Sequence, residues 1–227
     1  MMLLYGLVTL LLAYWFKREL ERFPMSVNQQ HFTEYQAIFP LSLSWQEFLE
    51  YSHLVPKESR VAYWFFILFP VAFFILKDLS LPIALIGIIL IYLSVLDCLY
   101  YLTESKYLAL IFCLALANLV FYDVSVIQPK IFSLFVITLF FYCFIPVINR
   151  IFQKEALGLG DVMLFCALAP LFELEEMVWM LLCSSLLGIA FSLGYGLFTK
   201  RKISKLPFIP FISFSTFLLF AVRILVH

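Results

Sequence analysis

Charged residues are scarce in this sequence. Asp, Glu, Lys and Arg make up only 13% of its 227 residues, whereas hydrophobic residues make up 64% and the mean hydropathy is +1.02. A soluble domain is nearer half apolar and a quarter charged. Basic patches interleaved with aromatic residues are also lacking, so we expect no nucleic acid as a partner. The composition predicts an all-α polytopic membrane protein, with membrane lipids as its surroundings.

Cysteine pairs are lacking as well. The chain has five cysteines, and none forms a Cys-x-x-Cys pair; they are Cys98, Cys113, Cys143, Cys166 and Cys183. All five lie in or beside apolar runs, which is typical of small buried hydrophobic residues. The sequence therefore predicts neither a disulfide framework nor a metal site, and we expect no cofactor.

Charge is also missing at the very start of the chain. Residues 1–16 are nearly all apolar, with no charged residue before them and no Ala-x-Ala-like site after them, so we expect an uncleaved first transmembrane helix. Residues 17–60 form the one long polar segment, a predicted loop. Its Trp45, Phe48, Leu49 and Tyr51 indicate an amphipathic helix at the membrane interface.

Seven further apolar runs follow, which makes about eight transmembrane helices in all. They cover about residues 61–76, 79–96, 107–122, 131–148, 162–172, 177–198 and 207–225. The run 162–172 is short for a span, since about 17–25 residues are expected. It could begin earlier, in the Gly-x-Gly sequence that precedes it.

Lysine and arginine predict the orientation. Between consecutive apolar runs, the odd-numbered gaps carry twelve of these residues, and the even-numbered gaps together with the C-terminal end carry three. Because cytoplasmic loops are enriched in Lys and Arg, the odd gaps are predicted to be cytoplasmic and both termini to lie outside. Segment 17–60 is then a cytoplasmic loop.

Four aspartates are present, and this topology separates them into two pairs. Asp97 ends the third run and Asp161 opens the sixth, both on the predicted cytoplasmic side, whereas Asp78 and Asp123 fall on the opposite side. Two carboxylates that share a partly dry site do not both ionise, so one keeps a proton near neutral pH. One carboxyl can then act as a base toward water and the other as an acid toward a carbonyl.

Glycine is rare too, with seven in the chain, yet two of them immediately precede Asp161 in the sequence Gly158-Leu159-Gly160-Asp161. A carboxylate at a membrane edge is costly unless it pairs, faces water or does chemistry. Glycine tolerates positive φ and close approach of another segment, so we expect Gly158 and Gly160 to use positive φ and to bring Asp161 to Asp97. A simpler alternative is that Asp161 only caps the helix it begins.

Three motifs together resemble the type IV prepilin leader peptidases, membrane aspartyl proteases of the Gly-x-Gly-Asp type. They are Leu96-Asp97, Gly158-Leu159-Gly160-Asp161, and Pro207-Phe208-Ile209-Pro210-Phe211. The resemblance implies catalytic roles for Asp97 and Asp161 and site-shaping or substrate-binding roles for Gly158, Gly160, Pro207, Phe208 and Pro210. It also implies a seven-helix peptidase core over residues 61–227, in the bacterial cytoplasmic (inner) membrane. The implied substrates are the leader peptides of prepilins or pseudopilins, cut on the cytoplasmic face.

The sequence departs from this family at several positions. Met163 stands where a lysine is common, Leu99 where an acidic residue is frequent, and Ile209 where glycine is usual. Many members carry two Cys-x-x-Cys pairs in the first cytoplasmic loop, associated with zinc and with methylation of the new N-terminus. Segment 17–60 has no cysteine, so we expect neither zinc nor N-methyltransferase activity.

Two other functions remain open from the sequence. A secondary transporter would use membrane-edge carboxylates to bind protons and substrate, although no inverted repeat is visible. A catalytically degenerate relative would bind pilin-like proteins without cutting them, which Met163 and the missing cysteines favour and the retention of both aspartates disfavours.

Overall fold

A computed structural model describes residues 2–39, 44–52, 54–57, 60–153, 157–199 and 205–226. Within these ranges the chain is helical throughout its regular structure and contains no strand. The all-α prediction is confirmed. Each of the eight predicted apolar runs coincides with a helix. The chain divides into two compact units, residues up to Pro70 and residues from Val71 onward.

The first unit contains two α-helices and the start of a third. Helix α1 is Met2–Ile38, α2 is Trp45–Tyr51, and α3 is Phe65–Leu76, preceded by a 3₁₀ turn at Arg60–Trp64. The expected boundary at residue 16 does not occur, because the good helix formers of 17–22 continue α1 through the first half of the predicted loop. The rest of that loop includes positions 40–43, 53 and 58–59, which lie outside the described residues.

Helix α2 lies where the sequence predicts an amphipathic helix. The Ser44 hydroxyl oxygen accepts a hydrogen bond from the Glu47 N–H, and the Ser44 N–H donates one to the Glu47 carboxylate; this capping box fixes where α2 begins. These hydrogen bonds lower the pKa of the exposed Glu47 carboxyl. The aromatic face of α2 packs on α1, with Phe32 against Trp45 and Phe48 at 5.1 and 5.3 Å between ring centroids. Its predicted place at the membrane interface stays a prediction.

The second unit holds six helices that carry the candidate site. They are α4 Leu81–Tyr100, α5 Ser105–Phe121, α6 Ile127–Phe152, α7 Leu159–Leu168, α8 Leu174–Thr199 and α9 Ile209–Val226. Three segments are long and apolar enough to cross a membrane: Leu81–Tyr100, Val124–Ile151 and Leu174–Thr199. The described residues also contain four shorter apolar helices, and these seven segments together with the apolar N-terminal part of α1 make the eight predicted apolar segments.

Helix α4 is the centre of this unit. It begins after Ser80, whose side chain caps the Ile83 N–H, and it ends at Tyr101 in the left-handed conformation (φ 54°). Most of its length is buried, whereas most of α6 and α8 is not. It packs against α5 and α9; α5 in turn packs against α7, and α8 against α9 and α6. This arrangement brings the C-terminal end of α4 close to the N-terminal ends of α7 and α9.

Candidate active site

Asp97 and Asp161 line the same cavity, of about 340 Å³. We call this end of the second unit the aspartate end. The cavity lies where the last turn of α4, the loop from α4 to α5 and the first turn of α7 meet. Its lining residues are Asp97, Tyr101, Leu102, Thr103, Ser105, Leu108, Gly158, Leu159, Gly160, Asp161 and Met163. The two carboxyls are close enough to interact electrostatically.

Asp97 projects from the last turn of α4 and is only 7% exposed. Its Oδ2 accepts a hydrogen bond of 3.0 Å from the Ile209 N–H, and the Phe208 N–H donates to the same carboxyl. Both donors lie at the N-terminal end of α9, Ile209 as its first residue and Phe208 directly before it, so the helix dipole also favours negative charge at this position. Asp97 is therefore held in place by α9, a helix more than one hundred residues later in the chain.

The Pro207-Phe208-Ile209-Pro210-Phe211 motif supplies these two donors. The Phe208 carbonyl accepts hydrogen bonds from the N–H groups of Phe211 (3.0 Å) and Ile212 (3.2 Å), which starts α9. Pro210 is the second residue of the helix, where a missing N–H costs nothing. Pro207 and Pro210 thus shape the backbone around Phe208 and Ile209, and neither proline lines the cavity.

Asp161 is the third residue of α7, and its carboxyl accepts a hydrogen bond from the Gly158 N–H. Helix α7 begins inside the Gly-x-Gly sequence, as the short predicted run suggested. Gly158 has φ −65° and ψ 141°, a conformation open to any residue. A Cβ on Gly158 would lie 3.0 Å from Asp161 Oδ2, so the absence of a side chain leaves room for the folded-back carboxyl.

Gly160 lies against Thr103 of the loop after α4, whereas Gly158 lies against the Asp161 carboxyl. A Cβ built there would lie 2.7 Å from Thr103 Oγ1 and 3.0 Å from Thr103 Cβ. The loop after α4 therefore touches the backbone of α7 directly at this residue. The expectation of positive φ at Gly158 and Gly160 is wrong, since no glycine of the described residues has a positive φ. The two glycines instead leave room for close contacts, made by the Asp161 carboxyl at Gly158 and by Thr103 at Gly160.

Sequence reasoning missed Tyr101, Thr103 and Ser105, which line the cavity between the two aspartates. Tyr101 is one of two non-glycine residues with positive φ in the described chain. Their closeness in sequence to Asp97 was the only available signal. Met163 also lines the cavity, in the place where the resembling family commonly has lysine, and Leu99 is not part of the lining.

Asp78 and Asp123 lie at the other end of the unit, which we call the far end. A cavity of about 560 Å³ there is also lined by Asn118, Lys130 and Arg223. Lys130 donates to Asp123 at 2.7 Å, and Arg223 forms an ion pair with Glu176 at 2.7 Å. The four aspartates are thus divided between the two ends in the pairs that the topology predicts.

Part of the chain matches a known protein family. Residues 84–193 match the family model described as the type IV leader peptidase family, a segment that includes Asp97, Gly158, Gly160 and Asp161 but ends before α9. No curated protein and no solved structure matches the chain. Two of the three motifs, Leu96-Asp97 and Gly158-Leu159-Gly160-Asp161, lie within the matched segment, so residues 84–193 of this chain are similar to the type IV leader peptidase family.

Proposed function

We propose that this protein is an aspartyl endopeptidase that removes the leader peptide of type IV prepilin-like or pseudopilin proteins. Asp97 and Asp161 are its catalytic residues. The observation that carries the proposal is that these two carboxyls, 64 positions apart in the sequence and on different helices, line one cavity at one end of the helical unit. Asp78 and Asp123, the other two aspartates, instead line the cavity at the far end.

The chemistry follows from a pair of carboxyls that share a proton. The ionised carboxyl takes a proton from a water molecule, whose oxygen attacks the carbonyl carbon of the scissile peptide bond. The protonated carboxyl gives its proton to the carbonyl oxygen, which forms a tetrahedral gem-diol. The carboxyl that took the proton from water then gives it to the leaving amine nitrogen, while the other carboxylate takes a proton from one gem-diol hydroxyl, so the C–N bond breaks and a carboxylic acid is released. Within one cycle each aspartate acts once as a base and once as an acid and returns to its starting protonation state. The proposed reaction therefore uses no metal ion or other cofactor.

Backbone groups hold this pair in position. The N–H groups of Phe208 and Ile209 orient Asp97, and the Gly158 N–H orients Asp161. The contact of Thr103 with Gly160 sets how closely the loop after α4 approaches α7. Groups held by their own surroundings lose little entropy when the transition state forms. Cleavage is proposed to occur at the cytoplasmic face of the bacterial inner membrane, without methylation of the product.

The test replaces each carboxyl by an amide. Asp97→Asn and Asp161→Asn should each lower cleavage of a prepilin-like substrate by at least about 100-fold, since either change removes a proton-transfer partner. The double variant should lose little more than each single variant, because the two residues act as one unit. Cleavage is measured by the mobility shift of a co-expressed substrate in a host that lacks its own leader peptidase.

Asp78→Asn is the matched control, because Asp78 is a well exposed aspartate at the far end. This variant should retain full activity. All variants must insert into the membrane at wild-type levels. Cleavage within about threefold of wild type by Asp97→Asn or Asp161→Asn would show that the two aspartates are not the catalytic pair.

A second candidate function is binding of pilin-like proteins without cleavage. It is favoured by the finding that both carboxyls accept backbone N–H groups at helix N-termini, which is a structural role by itself. The two candidates differ in one measurement. A binding protein would retain the uncut precursor in a co-purified complex, and the wild-type chain would give no mature product.

A further inference from the structure

Ser94 and Ser213 join α4 to α9 about one helical turn from Asp97. The Ser94 hydroxyl donates to Ser213 Oγ at 2.9 Å, and the Ser213 hydroxyl donates to the Leu90 carbonyl of α4 at 3.4 Å. Ser94 Oγ also lies 2.7 Å from that carbonyl. Both hydroxyls thus find a hydrogen-bond partner between two helices that are otherwise largely apolar.

The serine pair lies on the same helix faces as the hydrogen bond that holds Asp97. Ser94 precedes Asp97 by three residues on α4, and Ser213 follows Ile209 by four residues on α9. Residues three or four apart lie above one another on one side of a helix, about one turn of 5.4 Å apart. The serine pair is therefore the next hydrogen bond between α4 and α9 after the one from the Ile209 N–H to Asp97.

The contact between α4 and α9 continues in the same register further from the site, where a Cβ on Gly87 would lie 3.3 Å from Phe217 Cε1. Such an apolar contact tolerates a small slide of one helix along the other, whereas a hydrogen bond is lost beyond about 3.5 Å. Three successive contacts pair falling residue numbers on α4 with rising numbers on α9, so the helices run antiparallel: Asp97 with Ile209, Ser94 with Ser213, and Gly87 with Phe217.

Ser213 has no direct part in the cavity of the two aspartates. It is only 3% exposed, and it is not one of the residues that line this cavity. A buried hydroxyl is costly unless it is hydrogen-bonded, and Ser213 meets this condition only while α9 keeps its position on α4. The hydroxyl therefore favours one relative position of the two helices.

We propose that Ser213 is a positioning residue for Asp97. Its hydrogen bond to Ser94 fixes the position of α9 along α4, and this register sets the N–H groups of Phe208 and Ile209 opposite the Asp97 carboxyl. The assignment rests on the proposed peptidase function and adds to it a residue outside the three motifs and outside the cavity. Hydrogen bonds of serine between apolar helices have modest strength, so we expect an effect on the geometry of the site rather than on folding.

The first experiment measures kcat and KM for leader cleavage in three single variants. Ser213→Ala should lower kcat about tenfold and leave KM within about twofold, because it displaces the carboxyl without touching the substrate. Ser94→Ala should lower kcat less, since Ser213 keeps the Leu90 carbonyl as an acceptor. Ser215→Ala is the matched control, because Ser215 is 1% exposed on the same helix and its hydroxyl has no hydrogen-bond partner among the described residues. Its kinetics should equal those of wild type.

A double-variant cycle separates positioning from general support of the fold. Ile209→Pro removes one of the two N–H groups that α9 presents to Asp97. In that background Ser213→Ala should lower kcat by about threefold or less, because a donor that Ser213 aligns is already absent. An equal tenfold loss in both backgrounds overturns the proposal, as does a Ser213→Ala variant with the kinetics of Ser215→Ala. Loss of cleavage in Asp97→Asn would in either case leave the proposed function intact.

Hydrogen exchange tests the same proposal without turnover. The Ile209 amide is followed by NMR in the full-length protein, labelled on isoleucine nitrogen and held in detergent. Its exchange should be at least about tenfold faster in Ser213→Ala than in wild type and in Ser215→Ala, because the hydrogen bond from Ile209 to Asp97 is weakened. Equal exchange rates in the three proteins overturn the proposal.

Discussion

Backbone N–H groups hold the carboxyl of each of the two aspartates. Asp97 receives the N–H groups of Phe208 and Ile209, and Asp161 receives that of Gly158. A carboxylate has about four lone-pair sites, so these hydrogen bonds leave acceptor capacity directed at the cavity. Capping and catalysis are therefore compatible at the same residue, and the capping role explains why the geometry exists without substrate.

Gly160 gives the sharpest prediction at the scale of a single residue. Gly160→Ala should lower activity by about 100-fold, because its Cβ would meet Thr103 Oγ1 at 2.7 Å and push the loop after α4 away from α7. Thr103→Gly removes the obstructing atoms, so the double variant should recover part of the loss. Thr103→Ala should recover less, because its own Cβ stays 3.0 Å from the new methyl group.

The control for this series is Gly194→Ala in α8, where a Cβ has nothing within 4 Å. Its activity should equal that of wild type, and alanine should stabilise the helix slightly. Substrate cleavage and the thermal unfolding midpoint are measured for all variants. Equal losses in Gly160→Ala with and without Thr103→Gly would show that the contact with Thr103 is not the cause.

At the scale of helices, the start of α9 is the element on which Asp97 depends. Ile209 and Phe208 present their N–H groups because Pro210 and the carbonyl of Phe208 begin the helix at that point. Helix α4 contributes the carboxyl from its last turn, just before the left-handed Tyr101 ends it. The site is thus formed where the C-terminal end of α4 meets the N-terminal ends of α7 and α9.

Ile209→Pro tests this arrangement. Proline is well tolerated at the first position of a helix and lacks the N–H that donates to Asp97. A hydrogen bond to a charged group contributes about 1.5–3 kcal/mol, so activity should fall at least about tenfold relative to Ile209→Ala. Ile209→Ala is the matched variant, because it also truncates this buried side chain but keeps the N–H.

Both variants are compared at equal membrane levels, with kcat/KM for the leader substrate as the measurement. Similar activity in Ile209→Pro and Ile209→Ala would mean that cleavage does not depend on the hydrogen bond from this N–H to the Asp97 carboxyl.

At the scale of the whole second unit, the far end is tied by a buried polar network. Ser80 at the start of α4 donates to Asn118 on α5, Asn118 donates to Asp123 at 2.8 Å, and Lys130 on α6 donates to Asp123 at 2.7 Å. Buried polar groups that satisfy each other fix a unique arrangement of the helices that carry them. The network holds three helices together at the end away from the aspartates.

Asn118→Ala should therefore affect stability more than chemistry. It leaves Ser80 and Asp123 each without one buried partner, and we expect a loss of about 1–3 kcal/mol in the free energy of unfolding. Ser192→Ala, at an exposed position, should change stability by less than about 0.5 kcal/mol. Denaturant unfolding in detergent measures both. A large loss of kcat in folded Asn118→Ala protein would instead show that the polar network at the far end affects the chemistry at the aspartate end.

The absence of cysteine from residues 17–60 gives a prediction for the protein as a whole. Chelators should leave cleavage unchanged, and the new N-terminus of the product should be unmethylated, because the segment has no thiolates to hold zinc. Mass spectrometry of the mature product, made in a host without other leader peptidases, measures this. A methylated N-terminus dependent on this protein would contradict it.

Several features were determined by the sequence alone. Low charge and long apolar runs specify helices, because in lipid each backbone group must find its partner within the segment. The alternation of runs then places Asp97 and Asp161 at one end and Asp78 and Asp123 at the other. Local patterns failed at the boundary near residue 16, where helix-forming residues continued α1 into the predicted loop.

Only the tertiary structure decided how the site is assembled. The donors to Asp97 are backbone N–H groups of Phe208 and Ile209, which no side-chain pattern reveals because every residue except proline has one. The reason for Gly160 is likewise the neighbouring Thr103, whose position depends on how α4, α5 and α7 pack. A sequence records which positions are glycine or aspartate, whereas close approach between distant segments is set by packing alone.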